Sequence, residues 1–212
     1  MSSATTAAII LAAGSSSRMS EGRHKLLLPL GNRPVIAHVL DTVLASQASP
    51  ILLVLGHQAE NMRSVLAQYL TNPRVHSIEN KQYREGMSTS LHAALRELPH
   101  SAPESHSALV ILGDQPLLSN AILDTLIATR QTTGKPIIAP LYEGQRGNPV
   151  LFARDLYPEL LEVRGDEGGR MVIARHRDDV AAIEVGSKRA NYDVDTWETY
   201  QAVVAEWQRL NP

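Results

Sequence analysis

Three short stretches carry residue types whose spacing suits chemistry on phosphates. The first reads Leu11-Ala12-Ala13-Gly14-Ser15-Ser16-Ser17-Arg18-Met19, with Lys25 soon after. Small residues at the end of an apolar run let a backbone loop close around a phosphate with its N–H groups as donors, while Arg18 and Lys25 add fixed positive charge. That makes a cradle for a triphosphate; the same residues also suit a plain strand-to-turn junction carrying two solvated cations. The stretch is not the G-x-G-x-x-G fingerprint, since Gly14 is its single glycine, and it lacks the Gly-Lys-Ser/Thr ending of a Walker A loop. Nicotinamide dehydrogenases and P-loop NTPases are thereby set aside.

The second stretch, Gly113-Asp114-Gln115-Pro116, directly follows the apolar run 108–112. In an open parallel sheet ligands gather at the carboxyl ends of strands, so Asp114 is placed to hold Mg2+. An Asp ahead of a Pro-containing turn can also serve the turn alone. The third is Asp193-Val194-Asp195-Thr196. In extended chain, residues two apart share a side, so both acids could face one cation, with Asp195 preferred over Asp193; Asp195 or Thr196 could equally cap the last helix.

Gly86-Met87-Ser88-Thr89-Ser90 offers hydroxyls and backbone donors at a helix start. Arg146-Gly147-Asn148-Pro149 and Gly165-Asp166-Glu167-Gly168-Gly169-Arg170 set arginines among glycines, where a second anionic substrate could dock or where solvated loops could run. The histidines are scattered without H-E-x-x-H or other zinc spacing, and no G-x-S-x-G elbow occurs, so neither a zinc site nor a serine hydrolase is indicated.

These residues need a scaffold, and the apolar pattern supplies one. Runs rich in Ile, Val and Leu at 8–12, 51–55, 108–112, 136–140 and 180–185 read as buried strands, with a short extra one at 75–78. Helical spacing fills the gaps: Val35, Val39, Leu40, Val43 and Leu44, then Met62, Val65, Leu66 and Tyr69. Helices at 88–98 and 119–129 each begin with a serine able to cap, and a last one covers about 196–210. Alternation of this kind predicts an α/β fold, a mainly parallel sheet with helices on both faces. One domain over 1–212 is expected, with 1–6 as a frayed leader and 99–106 as a surface connection.

Composition narrows the partners. The chain has 212 residues, with Lys+Arg 20 against Asp+Glu 22, a formal net charge of -2, and aromatics at 4%. There is no basic field for nucleic acid or an acidic membrane, and few platforms for stacking bases. With no cysteine, disulfides, thiolate metal sites and cysteine nucleophiles are impossible, which suits a reducing compartment; the cytoplasm is expected. The apolar stretch 7–13 is too short to span a bilayer and follows no basic segment.

Taken in order, the loop at 11–18, Lys25 before Leu-Leu-Leu-Pro, then 86–91, 113–116, 146–152, 165–170 and 193–196 resemble the nucleotidyltransferases that complete the molybdenum cofactor. Within that group Leu-Ala-Ala-Gly and Asp-Val-Asp-Thr are similar to the cytidylyltransferases, the guanylyltransferases usually showing Leu-Ala-Gly-Gly. Two departures stand out: the Arg18-to-Lys25 spacing is longer than usual, running through Met19-Ser20-Glu21-Gly22-Arg23-His24, and Asn148 replaces the usual His. Asn can donate and accept but cannot titrate near neutrality.

The resemblance implies a three-layer, Rossmann-like sheet of the nucleotide-diphospho-sugar transferase type. It implies transfer of CMP from CTP to the terminal phosphate of Mo-molybdopterin, and delivery of the product to a molybdoenzyme of the cytosine-dinucleotide class. Mg2+ would sit on Asp114 and Asp195, with Arg18 and Lys25 neutralising the leaving pyrophosphate. Leu11, Ala12, Ala13, Gly14, Ser15, Gly86 and Ser90 would surround the nucleotide, the Ala13 methyl favouring a one-ring base. Arg146, Asn148 and Arg170 would take the pterin-phosphate side. Other readings are the same chemistry with GTP or a sugar phosphate, and a non-catalytic chaperone that carries the cofactor; Asp114, Arg18 and Lys25 together argue against the chaperone, which needs no metal-triphosphate site.

Overall fold

The computed structural model describes residues 5–15 and 24–211. Strand β1 (Thr5–Ala12) leads to a 3₁₀ turn at Lys25–Leu27, a hairpin of β2 (Pro29–Leu30) and β3 (Arg33–Pro34), and helix α1 (Val35–Leu44). Strand β4 (Ile51–Leu55), helices α2 (Ala59–Val65) and α3 (Ala67–Leu70), and β5 (Val75–Glu79) follow. Then come α4 (Met87–Ser101), β6 (Ser105–Leu112), α5 (Asn120–Thr133), β7 (Ile137–Tyr142), β8 (Gln145–Arg146) and β9 (Val150–Ala153). Helices α6 (Tyr157–Leu160) and α7 (Arg170–Arg175), strand β10 (Val180–Gly186) and helix α8 (Trp197–Leu210) complete the order.

The main sheet runs β10-β7-β9-β6-β1-β4-β5, with β8 paired to β7. Strand β1 lies parallel to β4 and β6, β4 to β5, and β7 to β10. Only β9, among these seven, runs against its neighbours β6 and β7. The apolar runs thus form the expected mainly parallel sheet, and the reversed β9 is what the hydrophobic pattern did not announce: four buried residues read alike in either direction.

Alternate residues of β1 feed two cores, one on each face. Ala8, Ile10 and Ala12 pack with Ile36, Leu40 and Val43 of α1, Leu123 and Leu126 of α5, and Val203 of α8. Ala7 and Ile9, with Ala13 just past the strand, pack with Leu91 and Leu95 of α4 and Val172 of α7. Each fully buried Ile, Leu or Val contributes roughly 2 kcal/mol of transfer free energy, so covering both faces is what holds the strand ends in place. No described helix is long and apolar enough to cross a membrane.

Several local expectations need correction. Thr5 and Thr6 belong to β1, not to a leader: the Thr6 hydroxyl is buried and shares a 2.8 Å hydrogen bond with that of Ser107. The stretch 99–106 is less of a loop than its prolines and serines suggest, because α4 continues through Pro99 to Ser101 and β6 begins at Ser105. Ser88 does not cap α4. That helix starts at Met87, where Gly86 holds φ +113, a conformation L side chains rarely adopt; the Asp166 carboxylate accepts the Met87 N–H at 2.9 Å and the Gly165 carbonyl accepts the Ser88 N–H at 2.9 Å. Ser119 occupies the N-cap position of α5 without a side-chain cap bond.

Candidate active site

Strands β1, β4, β5 and β6 all end on one edge of the sheet, and charge collects there. The Gly113 N–H donates to the Leu11 carbonyl at 3.0 Å, and a Cβ on Gly113 would stand 3.0 Å from that oxygen and 3.1 Å from Ile36 Cδ1. A larger residue would push the two strand ends apart, so glycine sets Asp114 beside the loop that follows β1. The Val194 N–H donates to the Asp114 carbonyl at 2.9 Å, and Val194 is buried. That bond brings the acid pair of 193–195 to the end of β6.

Lys25 completes the cluster. Its Nζ lies 2.6 Å from Asp114 Oδ2 and 3.3 Å from Asp195 Oδ1. The side chains are 14%, 16% and 30% exposed respectively, so water screens the charges only partly. Burial works to lower the Lys25 pKa, but the Asp114 carboxylate, and then Asp195, outweigh it and hold the ammonium above its ordinary value. Lys25 is therefore charged at neutral pH.

Asp114 Oδ1 is buried and has no hydrogen-bond partner among the described residues. A buried carboxylate oxygen in that state is costly unless a ligand satisfies it. Partial burial, followed by the Asp114 charge, raises the Asp193 carboxyl, against its own backbone N–H and with Asp195 adding to the rise. These are hard oxygen donors, and Asp114 with Asp195 could hold a divalent cation. Among the described residues no group of three or more His, Cys, Asp or Glu is arranged to hold a metal ion; one or two carboxylates, with water and substrate phosphate, is the way Mg2+ is usually held. The capping alternative for Asp195 is answered by α8 itself. The Thr196 hydroxyl accepts the Thr199 N–H at 3.2 Å, and the Thr199 hydroxyl accepts the N–H groups of Asp195 and Thr196 at 3.0 Å each, so these caps do not use the Asp195 carboxylate.

The other expected residues fall into three groups. Arg18 lies outside the described residues, as do Ser16 and Ser17. Of the loop, Leu11 is half-buried, Ala12 and Ala13 are buried, and Gly14 and Ser15 are exposed, with open space where a Cβ on Gly14 would stand. The Ala13 methyl does not point into open space. A Cβ on Gly56 would come within 2.8 Å of it, and the Ala13 carbonyl accepts the His57 N–H at 3.1 Å. The methyl fills the protein interior, so the direct steric argument for a small base fails.

Ser90 likewise faces inward: it is buried, and its hydroxyl accepts a hydrogen bond from Asn80 Nδ2 at 2.9 Å. Asn80 also donates to the Thr89 hydroxyl at 2.8 Å, bracing the connection from β5 to α4. Asn148 is held by its backbone, its N–H donating to Asn191 Oδ1 at 3.1 Å and its carbonyl accepting the Tyr142 hydroxyl at 2.6 Å. Arg146 and Arg170, distant in sequence, line one cavity of about 460 Å³.

Two features escaped the sequence. Asn191 Oδ1 accepts from Gln115 Nε2 at 3.2 Å as well as from Asn148, so one amide ties the Asp114 turn to the 146–149 loop. Behind Lys25, the His24 ring stacks on His57 with centroids 5.7 Å apart, and His57 meets Tyr83 at 5.9 Å. His24 Nδ1 accepts the Leu26 N–H at 3.3 Å, setting the 3₁₀ turn that carries Lys25. Burial first, then the nearby His57 and Lys25 charges, lower its pKa to about 4. An isolated Asn or His has no periodic signal; the Asn191 signal would have been a polar residue two positions ahead of the Asp193 pair.

A mainly parallel sheet that gathers a lysine and two carboxylates at its strand ends suits chemistry on phosphates, and the family match makes the class a nucleotidyltransferase. The chain belongs to the MobA-like NTP transferase domain family, whose model matches residues 8–180. The crystal structure of Rv0371C from Mycobacterium tuberculosis H37Rv in complex with manganese is 27% identical, covers 95% of this chain and 98% of that one, and superposes with a TM-score of 0.77. Molybdopterin-guanine dinucleotide biosynthesis protein A from Archaeoglobus fulgidus shares the fold at 15% identity, with a TM-score of 0.67 over 97% of this chain and 100% of that one. The bifunctional protein GlmU of Pelobacter propionicus is 30% identical over 87% of this chain, and the match spans 36% of that protein's length.

Proposed function

We propose that this chain transfers CMP from CTP to the terminal phosphate of Mo-molybdopterin, releasing pyrophosphate and forming the cytosine dinucleotide cofactor. The observation that carries this reading is the Lys25 clamp, 2.6 Å from Asp114 and 3.3 Å from Asp195, with Asp114 Oδ1 buried beside it and unpartnered among the described residues. An oxygen of the acceptor phosphate attacks the α-phosphorus of the nucleotide, and the bond from that phosphorus to the bridging oxygen of the leaving pyrophosphate breaks. The nucleophile is already anionic, so no strong base is required; placement and relief of charge repulsion do the work.

Lys25 is positioned to meet the charge that grows on the pyrophosphate, and Arg18, adjoining the same loop in sequence, is assigned to share that load. Asp114 and Asp195 would hold Mg2+, which when bound draws charge from the triphosphate oxygens. The open side of Gly14 and the exposed Ser15 leave room for phosphate against the backbone, and the Gly86 turn closes the nucleotide side. Arg146, Asn148 and Arg170 are assigned to the acceptor. The choice of CTP rests on the likeness of Leu-Ala-Ala-Gly and Asp-Val-Asp-Thr to the cytidylyltransferase pattern, and the product would pass to a molybdoenzyme of that cofactor class.

Pyrophosphate release measured with each of the four NTPs, with and without Mo-molybdopterin, tests the reading. Release with CTP that depends on the acceptor is expected. A preference for GTP overturns the cytidylyl half of the proposal, and release only with a sugar phosphate overturns the acceptor.

A further inference from the structure

The cavity of about 460 Å³ is lined by Arg146, Arg170, Ile173, Ala174 and Arg177. Arg170, Ala174 and Arg177 recur at i, i+4 and i+7 along α7 and the 3₁₀ turn after it, the spacing of one helical face. Arg146 reaches the same space from β8, which pairs back onto the end of β7 through Leu141 with Arg146 and Tyr142 with Gln145. Ile173 and Val172 are buried in the second core and fix the helix. The loop ahead of α7 touches the start of α4, where Gly165 and Asp166 accept the first N–H groups. The Arg170 end of the cavity is thus joined to the nucleotide edge of the sheet.

None of the three guanidiniums makes an ion pair among the described residues, although acids are close in sequence. Glu159 is engaged by Arg175 and His176, and Asp179 by Lys135 and His176. Three like charges around one void repel each other, and an anion seated among them removes that repulsion and accepts paired guanidinium N–H donors. The volume falls in the range of roughly 300–1,000 Å³ typical of organic ligands, far more than a lone phosphate requires.

We propose that this cavity seats a phosphomonoester acceptor, with Arg177 as the third cationic ligand and the dianionic phosphate as the recognised group. The proposal rests on the nucleotidyl-transfer reading for its catalytic meaning. A phosphomonoester carries close to two negative charges at neutral pH, its second pKa being about 6. After transfer the same phosphorus is joined through a second oxygen, in a phosphoanhydride, and keeps one charge. The cavity therefore grips the substrate harder than the product, and transfer itself loosens the product.

The test is calorimetric titration of the nucleotide-free protein with phenyl phosphate and, separately, diphenyl phosphate. Phenyl phosphate should bind, diphenyl phosphate at least tenfold more weakly, and Arg177→Gln should weaken phenyl phosphate about tenfold, as loss of one charge-assisted donor does. Arg175→Gln, a neighbour paired with Glu159, should bind phenyl phosphate like wild type. Equal affinity in Arg177→Gln and wild type, or equal affinity for the mono- and diester, overturns the proposal. Turnover is a separate readout: a wild-type protein that binds phenyl phosphate but releases no pyrophosphate from any NTP would sink the transfer reading and leave the anion seat standing.

Discussion

At the end of β6 the Lys25 ammonium is shared between two carboxylates, whereas three guanidiniums from β8, α7 and the 3₁₀ turn after it face a cavity without an ion-pair partner among the described residues. In the first arrangement the ion pairs stand before any substrate arrives. Its geometry is held by opposing charges in a partly dry setting, and removing one partner strands the other. The second adds nothing to folding and slightly opposes it. Its electrostatic energy is released only when an anion enters, so its arginines should be replaceable without loss of structure. The contrast separates a region whose charges position one another from a region whose charges would attract a ligand.

The most severe way to break the paired cluster is Asp114→Asn. The amide keeps the shape but is a neutral, poorer metal ligand, and turnover at saturating Mg2+ should fall on the order of 10³-fold. Activity within a few-fold of wild type would make Asp114 a structural residue. Next in size are Lys25→Ala and Arg18→Ala, each expected to lose about 10²-fold in kcat, as when one preorganised donor is removed from a transition state. If Lys25→Ala leaves kcat intact while Arg18→Ala does not, the charge role belongs to Arg23.

The wall behind Lys25 should show itself in pH. His24 has its pKa lowered to about 4 from 6.5, so below the unfolded value the unfolded chain binds the extra proton and the folded one does not. The stability this group contributes is complete above pH 6.5 and falls as pH drops toward 4, with roughly 2 kcal/mol lost by about pH 5. Urea midpoints across that range should decline in wild type and decline less in His24→Gln; parallel curves would remove His24 from the account.

Cutting the joint between the two regions is gentler. Asn191→Ala frees Gln115 from the Asn148 loop, and kcat should drop about tenfold with the KM for CTP nearly unchanged, since misplacement of the acceptor costs rate. Gln at 191 should restore part of it. The smallest effect is expected for Ala13→Gly. Because the methyl packs against the protein at Gly56, the CTP-to-GTP ratio in kcat/KM should shift by less than about 1 kcal/mol. A reversal of preference in a competition assay would return Ala13 to the base pocket.

Much of the paired cluster was legible in sequence because each member follows a recognisable boundary. Asp114 comes directly after an apolar strand, and Asp195 comes two residues after another acid, with the buried Val194 between them forcing the alternation. The joint was not legible: Asn191 acts through a side-chain oxygen whose partners, Gln115 and Asn148, are fixed by tertiary packing. Ser90 and Ala13 misled for a related reason. Small polar or apolar residues at a strand or helix end suit solvent and interior alike, and which way they face depends on what Asn80 and Gly56 bring against them. Strand β9 was opaque because a fully buried strand shows no period from which direction could be read.

Lys25 finds its two anions 89 and 170 positions later in the chain. A ribosome therefore delivers the lysine first, Asp114 well afterwards, and the second carboxylate later still. Closing loops of that length is slow compared with forming a helix. During synthesis, strands β1, β4, β5 and β6 all emerge while the acid pair is still to be made. A nascent chain at that point has the strand ends without the second carboxylate, and the Val194-to-Asp114 hydrogen bond marks the moment at which Lys25 gains it.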